Sequence, residues 1–187
     1  MVAYPNSERL SQNRDQELMH VYCDTSVWMG LFDALSDRQN QQEIESAIRT
    51  LLDLHRQGKI ELVSSRQVKA ELTNLLTDPT RAEKVKKALE TLANLNLREL
   101  PRTPADLGKA VLGEMRLNQS PQFTDIPSKP SDRDLVEYLT ANGVAFFVSL
   151  DERHFLRNKW QIEERLNTEK SKVVSPQELV KVLFYRH

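Results

Sequence analysis

"VAFFVSLD" (144–151) is an apolar run that ends on a carboxylate. A strand with one wet face alternates apolar and polar residues, whereas one that is apolar at nearly every position is covered on both faces, as parallel strands are. "MHVYCD" (19–24) has the same form. "KIELVSS" (59–65), "LREL" (97–100) and "KVVS" (172–175) read as further strands. Helical periodicity fills the intervals. In "SDRQNQQEIESAIRTLLDLHRQG" (36–58), Ile44, Ala47, Ile48, Leu51 and Leu52 form one face and Gly58 stands at a C′ position. Ser64 or Ser65 can cap a helix that carries Val68, Leu72, Leu75 and Leu76 and ends before Asp78-Pro79.

The alternation continues through "TRAEKVKKALETLANL" (80–95) and "PADLGKAVLGEMRL" (104–117), both helical in pattern, and a proline-broken loop over 118–130. "SDRDLVEYLTANG" (131–143) is a helix stopped by Gly143, and "SPQELVKVLFYRH" (175–187) opens with Ser175 as N-cap, Pro176 at N1 and Glu178 at N3. Strand-helix alternation of this kind predicts an α/β fold, a central mostly parallel sheet flanked by helices on both faces.

At 187 residues and 39% hydrophobic, the chain is sized for one core. The expected organisation is a polar, aperiodic tail over residues 1–18 and one domain over 19–187. A formal charge of -1 gives no chain-wide field for nucleic acid, so any polyanion must be held locally. The lone Cys23 excludes an internal disulfide, and the sequence has neither a signal-peptide h-region nor a membrane-length apolar span. These features predict a soluble cytoplasmic chain without a membrane partner.

In parallel sheets, ligands gather beyond the carboxyl ends of the strands. Asp24 ends the first strand and Asp151 the fourth, so two acids distant in sequence face one edge. Neighbouring carboxylates stay ionised at neutral pH only with a cation or strong donors between them, and Mg²⁺ is often held by one or two protein carboxylates. Glu71 on the helix after the second strand and Asp134 in the first turn of the helix before the fourth are further acids for such a site. Other Asp-centred chemistries fit less well. A haloacid dehalogenase-type phosphatase needs a second Asp where Ser26 stands, an adhesion-type metal site needs a Ser where Trp28 stands, and a receiver domain needs an acid pair that "VYCDTS" lacks.

The series "VYCDTSVW", "SRQVKAELTNLL", "SDRDLVEYL", "FFVSLDERHF" and "VVSPQELVKVL" resembles, in order, the PIN-domain family of metal-dependent nucleases, from about Val21 to Leu183. The resemblance implies that Asp24, Glu71, Asp134 and Asp151 hold Mg²⁺ or Mn²⁺, that Thr25 and Ser26 shape the turn of the first ligand, and that Ser149 lies close to the last. It implies an endoribonuclease that hydrolyses RNA through metal-activated water, often the toxin of a toxin/antitoxin pair. The alternative is a catalytically idle PIN-like RNA-binding or scaffold protein. Expected partners are RNA, an antitoxin protein and a second copy of the chain. The chain exceeds compact toxins of this kind by its tail and by the segment between Glu71 and Asp134.

Structural readings stand beside these. Asp24 followed by Thr and Ser can simply start a turn. Glu71 taken alone is a solvated helix acid. Ser131 and Asp134 fit a capping box, which would leave Asp132 as the ligand. Cys23, Trp28 and Trp160 read as packing residues, and the four histidines lack ligand spacing. Phosphate needs local cations, and Arg81 and Lys84 in "RAEKVKK" (81–87), with Arg153, Arg157 and Lys159, are the candidates.

Overall fold

A computed structural model describes residues 18–32, 38–100, 142–165 and 171–185. Five strands, β1 (His20–Cys23), β2 (Glu61–Ser64), β3 (Arg98–Glu99), β4 (Phe146–Val148) and β5 (Lys172–Val174), form one sheet in the order β3-β2-β1-β4-β5. Every pairing is parallel, with Tyr22 beside Val63 on one side and Phe147 on the other. Consecutive residues are buried along β1, β2 and β4, so both faces of the sheet are covered. The α/β class, the parallel sheet and the single core therefore agree with the sequence pattern.

Six helices accompany the sheet: α1 (Thr25–Gly30), α2 (Arg38–Arg56), α3 (Arg66–Leu75), α4 (Ala82–Asn94), α5 (Lys159–Arg165) and α6 (Pro176–Tyr185). From β1 the chain winds outward to β2 and β3, and from β4 it winds the other way to β5. Right-handed crossovers then place α1 to α4 on one face and α5 on the other. α1 packs on α2, α3 and α4, and α6 returns from β5 to pack along α2. The strand order reverses between β1 and β4, and this switch point opens at the carboxyl edge of the sheet.

Punctuation fixes the element ends. Ser65 is the N-cap of α3, and its hydroxyl accepts from the Val68 N–H at 3.4 Å. Gly58, at φ +67, follows α2 as a left-handed C′ residue. Ser175 and Glu178 form a reciprocal box: the Ser175 hydroxyl accepts the Glu178 N–H at 3.2 Å, and the Glu178 carboxylate accepts the Ser175 N–H at 2.9 Å. In the core, Phe147 stacks on Tyr22 with centroids 5.8 Å apart and meets Phe155 edge-on at 4.7 Å.

Three local expectations need revision. The sequence pattern assigned no element directly after Cys23, where α1 begins, nor between Asp151 and Ser171, where a 3-10 turn (Leu156–Asn158) and α5 lie. Trp160, expected to pack, is 61% exposed. At 100° per residue it points away from Ile162, the residue through which α5 is buried. The helices expected over 104–117 and most of 131–143, the loop over 118–130, the tail over 1–17, and Asp132 and Asp134 lie outside the described residues.

Replacing Ser175 by Ala removes one side of the box at the entrance of α6. The variant should lose about 0.5–2 kcal/mol of stability, read as a lower urea midpoint at unchanged slope.

Candidate active site

Asp24 leaves β1 at the switch point and stands at the N-cap position of α1, yet its side chain makes no capping hydrogen bond. Its carboxylate is instead held from two other directions. The Ser26 hydroxyl donates to Oδ2 at 2.8 Å and the Ser149 hydroxyl donates to the same oxygen at 3.1 Å. Each hydroxyl oxygen in turn accepts a backbone N–H from the segment after β4, Leu150 onto Ser26 at 2.9 Å and Asp151 onto Ser149 at 3.0 Å. With those acceptor sites filled from the backbone, both hydroxyl protons are directed at Asp24. The Asp24 N–H itself donates to the Val148 carbonyl at 2.9 Å, tying the ends of β1 and β4 together.

Glu71 comes to this edge from the middle of α3. One carboxylate oxygen accepts from the Thr25 hydroxyl at 2.5 Å and the other from the Gln67 amide at 2.9 Å. The solvated-acid reading of Glu71 thus gives way to a half-buried residue bridged to α1. Burial raises the pKa of Asp24, and the Glu71 charge adds to the rise, while the Ser26 and Ser149 donors oppose it. Below the edge, burial also pushes up the Tyr22 phenol, which is hydrogen-bonded to Ser65 at 2.9 Å. Burial and then the Asp24 charge push the Cys23 thiol to about 12, consistent with an inert core cysteine.

Asp151 has a different environment. Its oxygens are engaged by the His154 N–H at 2.9 Å and the His154 ring Nδ1 at 2.7 Å. Partial burial pushes its pKa up, but the His154 hydrogen bonds and charge outweigh this and the net shift is downward. His154 was passed over in the sequence because it lacks ligand spacing. The available signal was D-x-x-H directly after a strand, a spacing that one turn closes. Gln67, four residues before Glu71 on α3, was also missed.

A cleft of about 550 Å³ adjoins Thr25 and Ser26 and is also lined by Met29, Leu150 and Arg81. Arg81, the N-cap residue of α4, lies 3.5 Å from Asp78 and more than half of its side chain is exposed. Lys84 is half-buried on α4, and Arg153 and Arg157 are exposed in the turns after β4. Of the four sequence-chosen cations, Arg81 alone lines the cleft. Gly30 also borders it, and a Cβ built there would stand 2.4 Å from Leu150 Cδ1, so α1 and the post-β4 segment meet with no room for a methyl group.

The edge supplies only oxygen donors, the chemistry that suits Mg²⁺ and Mn²⁺. A cation beside Asp24 would also offset the repulsion from Glu71 that raises its pKa. Among the described residues, no three His, Cys, Asp or Glu side chains meet as a set able to hold a metal ion.

An aspartate whose folded pKa is raised is destabilising while ionised, and the penalty is relieved as pH falls through the raised value toward the ordinary 3.8. In metal-free buffer Asp24→Asn should therefore melt above the parent at pH 7, with the gap closing as pH falls toward 3.8. A gap of a few degrees is expected, since 1 kcal/mol moves Tm by about 2–4 °C at this size. Asp151, with a lowered pKa, has the opposite sign: its contribution is present above 3.8 and is lost as pH falls through the folded value. No protein-family model matches the chain, and no curated protein matches it.

Proposed function

We propose that this chain is a PIN-type endoribonuclease that hydrolyses RNA phosphodiester bonds with Mg²⁺ or Mn²⁺. The observation that carries this reading is the Asp24 carboxylate at the switch point, poorly solvated, held by two hydroxyls and repelled by Glu71. A side chain serving only to turn the chain would cap α1, and this one does not. Asp24 and Glu71 would hold the cation together with Asp151 and either Asp134 or Asp132. A divalent ion bound there supplies Lewis acidity, lowering the pKa of a bound water and neutralising charge on the phosphate.

The remaining roles belong to the chain's own side chains. Ser26 and Ser149 fix the rotamer of Asp24, and Thr25 and Gln67 fix that of Glu71, so the carboxylates are oriented before substrate arrives. Arg81 offers a phosphate counter-charge at the cleft. No side-chain nucleophile is required, and Thr25 and Ser26 act through orientation. The toxin assignment and an antitoxin partner belong to the same proposal, as does a homodimer. Localisation in the cytoplasm is proposed with them; among the described residues, no helix is long and apolar enough to cross a membrane.

The idle alternative draws on one specific observation: both carboxylate oxygens of Glu71 and of Asp151 already have side-chain or backbone donors. Incubating a labelled RNA panel with the protein, with and without Mn²⁺, separates the two readings. The expected result is metal-dependent cleavage that Asp24→Asn lowers by about 100-fold or more, the order of effect for losing one charge-stabilising group. RNA binding without cleavage would establish the idle reading. Mn²⁺ should also raise the parent's stability, by about 2.7 kcal/mol at a hundredfold excess over Kd, and Asp24→Asn should lose most of that gain. Calorimetric Mn²⁺ titration of Asp134→Asn and Asp132→Asn identifies the further ligand, because only the true ligand's variant should weaken metal binding.

A further inference from the structure

The cleft beside Thr25 and Ser26 contains two side-chain acceptors that nothing satisfies. Gln41 Oε1 and Gln177 Oε1 are both buried without a hydrogen-bond partner, and both residues line this cleft. The Gln41 amide is oriented unambiguously, since its Nε2 donates to the Gly30 carbonyl at 3.0 Å and the oxygen must therefore be the free end. A buried acceptor without a donor is costly, and two in one cavity call for a ligand that brings N–H groups. The walls beside them are apolar, formed by Met29, Ile44, Leu75 and Leu150. Arg81 adds a cation, and the volume of about 550 Å³ is ample for a nucleotide.

We propose that this cleft is a base-binding subsite, which takes one unstacked nucleobase of single-stranded RNA next to the scissile phosphate and prefers a base with an exocyclic amine. Flat apolar walls suit the faces of a base, and single-stranded RNA is recognised by splaying bases into such pockets and reading their edges. An exocyclic amine carries two N–H bonds, one for each orphaned oxygen, whereas the single N3–H of uracil can satisfy at most one. Thr25 and Ser26 border both the cleft and the acids, so a base seated there leaves its own phosphate close to Asp24. The inference rests on the RNA-processing reading above.

The test is binding of short labelled cytidine, adenosine and uridine homopolymers to the parent protein in EDTA, followed by fluorescence anisotropy. The cytidine and adenosine oligomers should bind roughly five- to tenfold more tightly than the uridine oligomer, the discrimination that one buried hydrogen bond supports. Gln41→Met with Gln177→Met should bring that ratio to about one while changing uridine binding little. Gln177→Met alone provides a second arm, because Gln41 also ties α2 to Gly30, and it should reduce the ratio part of the way. Equal binding of all three oligomers by the parent, or a preference that survives both substitutions, overturns the subsite while leaving an RNA-binding protein. Absence of binding to any of them overturns the RNA reading together with the subsite.

Discussion

The ends of β1 and β4 meet at one carboxylate oxygen. Asp24 Oδ2 receives the hydroxyl protons of Ser26 and Ser149, whose oxygens are in turn occupied by the Leu150 and Asp151 N–H groups. Four residues from opposite ends of the chain are thereby committed to holding one charge where the strand order reverses. Neither hydroxyl contact neutralises that charge. Elsewhere in the fold acids are matched by cations: Glu61 lies 2.8 Å from the His20 ring and 3.3 Å from Arg98, and Glu99 is bracketed by Arg66 and Lys69 at 2.9 and 2.8 Å. The donors on Asp24 are dipoles, so its charge remains available to something that arrives from outside.

That contrast explains why the two faces of the edge differ in chemistry. The Asp24–Glu71 side is poorly solvated and mutually repulsive, whereas Asp151 is already stabilised by His154 and has a lowered pKa. Two carboxylates at the same edge of one sheet thus have opposite electrostatic tendencies, set by what each strand end leads into. After β1 the chain enters a helix that buries Thr25, Val27 and Trp28, and after β4 it enters an open turn whose histidine folds back on the acid.

Much of this was legible in the sequence because burial on both faces leaves a distinct mark. Runs such as "VAFFVSLD" and "MHVYCD" gave the strands and placed Asp24 and Asp151 at one edge, and Gly58, Ser65 and Ser175 gave the helix boundaries through conformations or hydrogen bonds specific to those residue types. Less visible were the features that depend on contacts across the chain. α1 has six residues, too few to show a helical period, and it is held largely by the Trp28 indole donating to the Cys23 carbonyl at 3.0 Å and by packing on α2 to α4. Gln67 and His154 take their places from local turns closing on acids, a signal that ordinary polar residues rarely disclose. Trp160 defied the expectation that tryptophan packs because its helix buries the opposite side.

Gly30 is where these levels converge. The space between α1 and the strand that carries Ser149 is set by one absent methyl group, with Leu150 filling it. The bore of the cleft is thus governed by a residue that contributes no charge, donor or acceptor side chain to it. A single added carbon would displace a wall of the groove and leave every carboxylate and hydroxyl of the edge chemically unchanged. What the groove admits can therefore diverge between related sequences independently of the reaction that the edge supports, through a position that a comparison of polar residues alone would overlook.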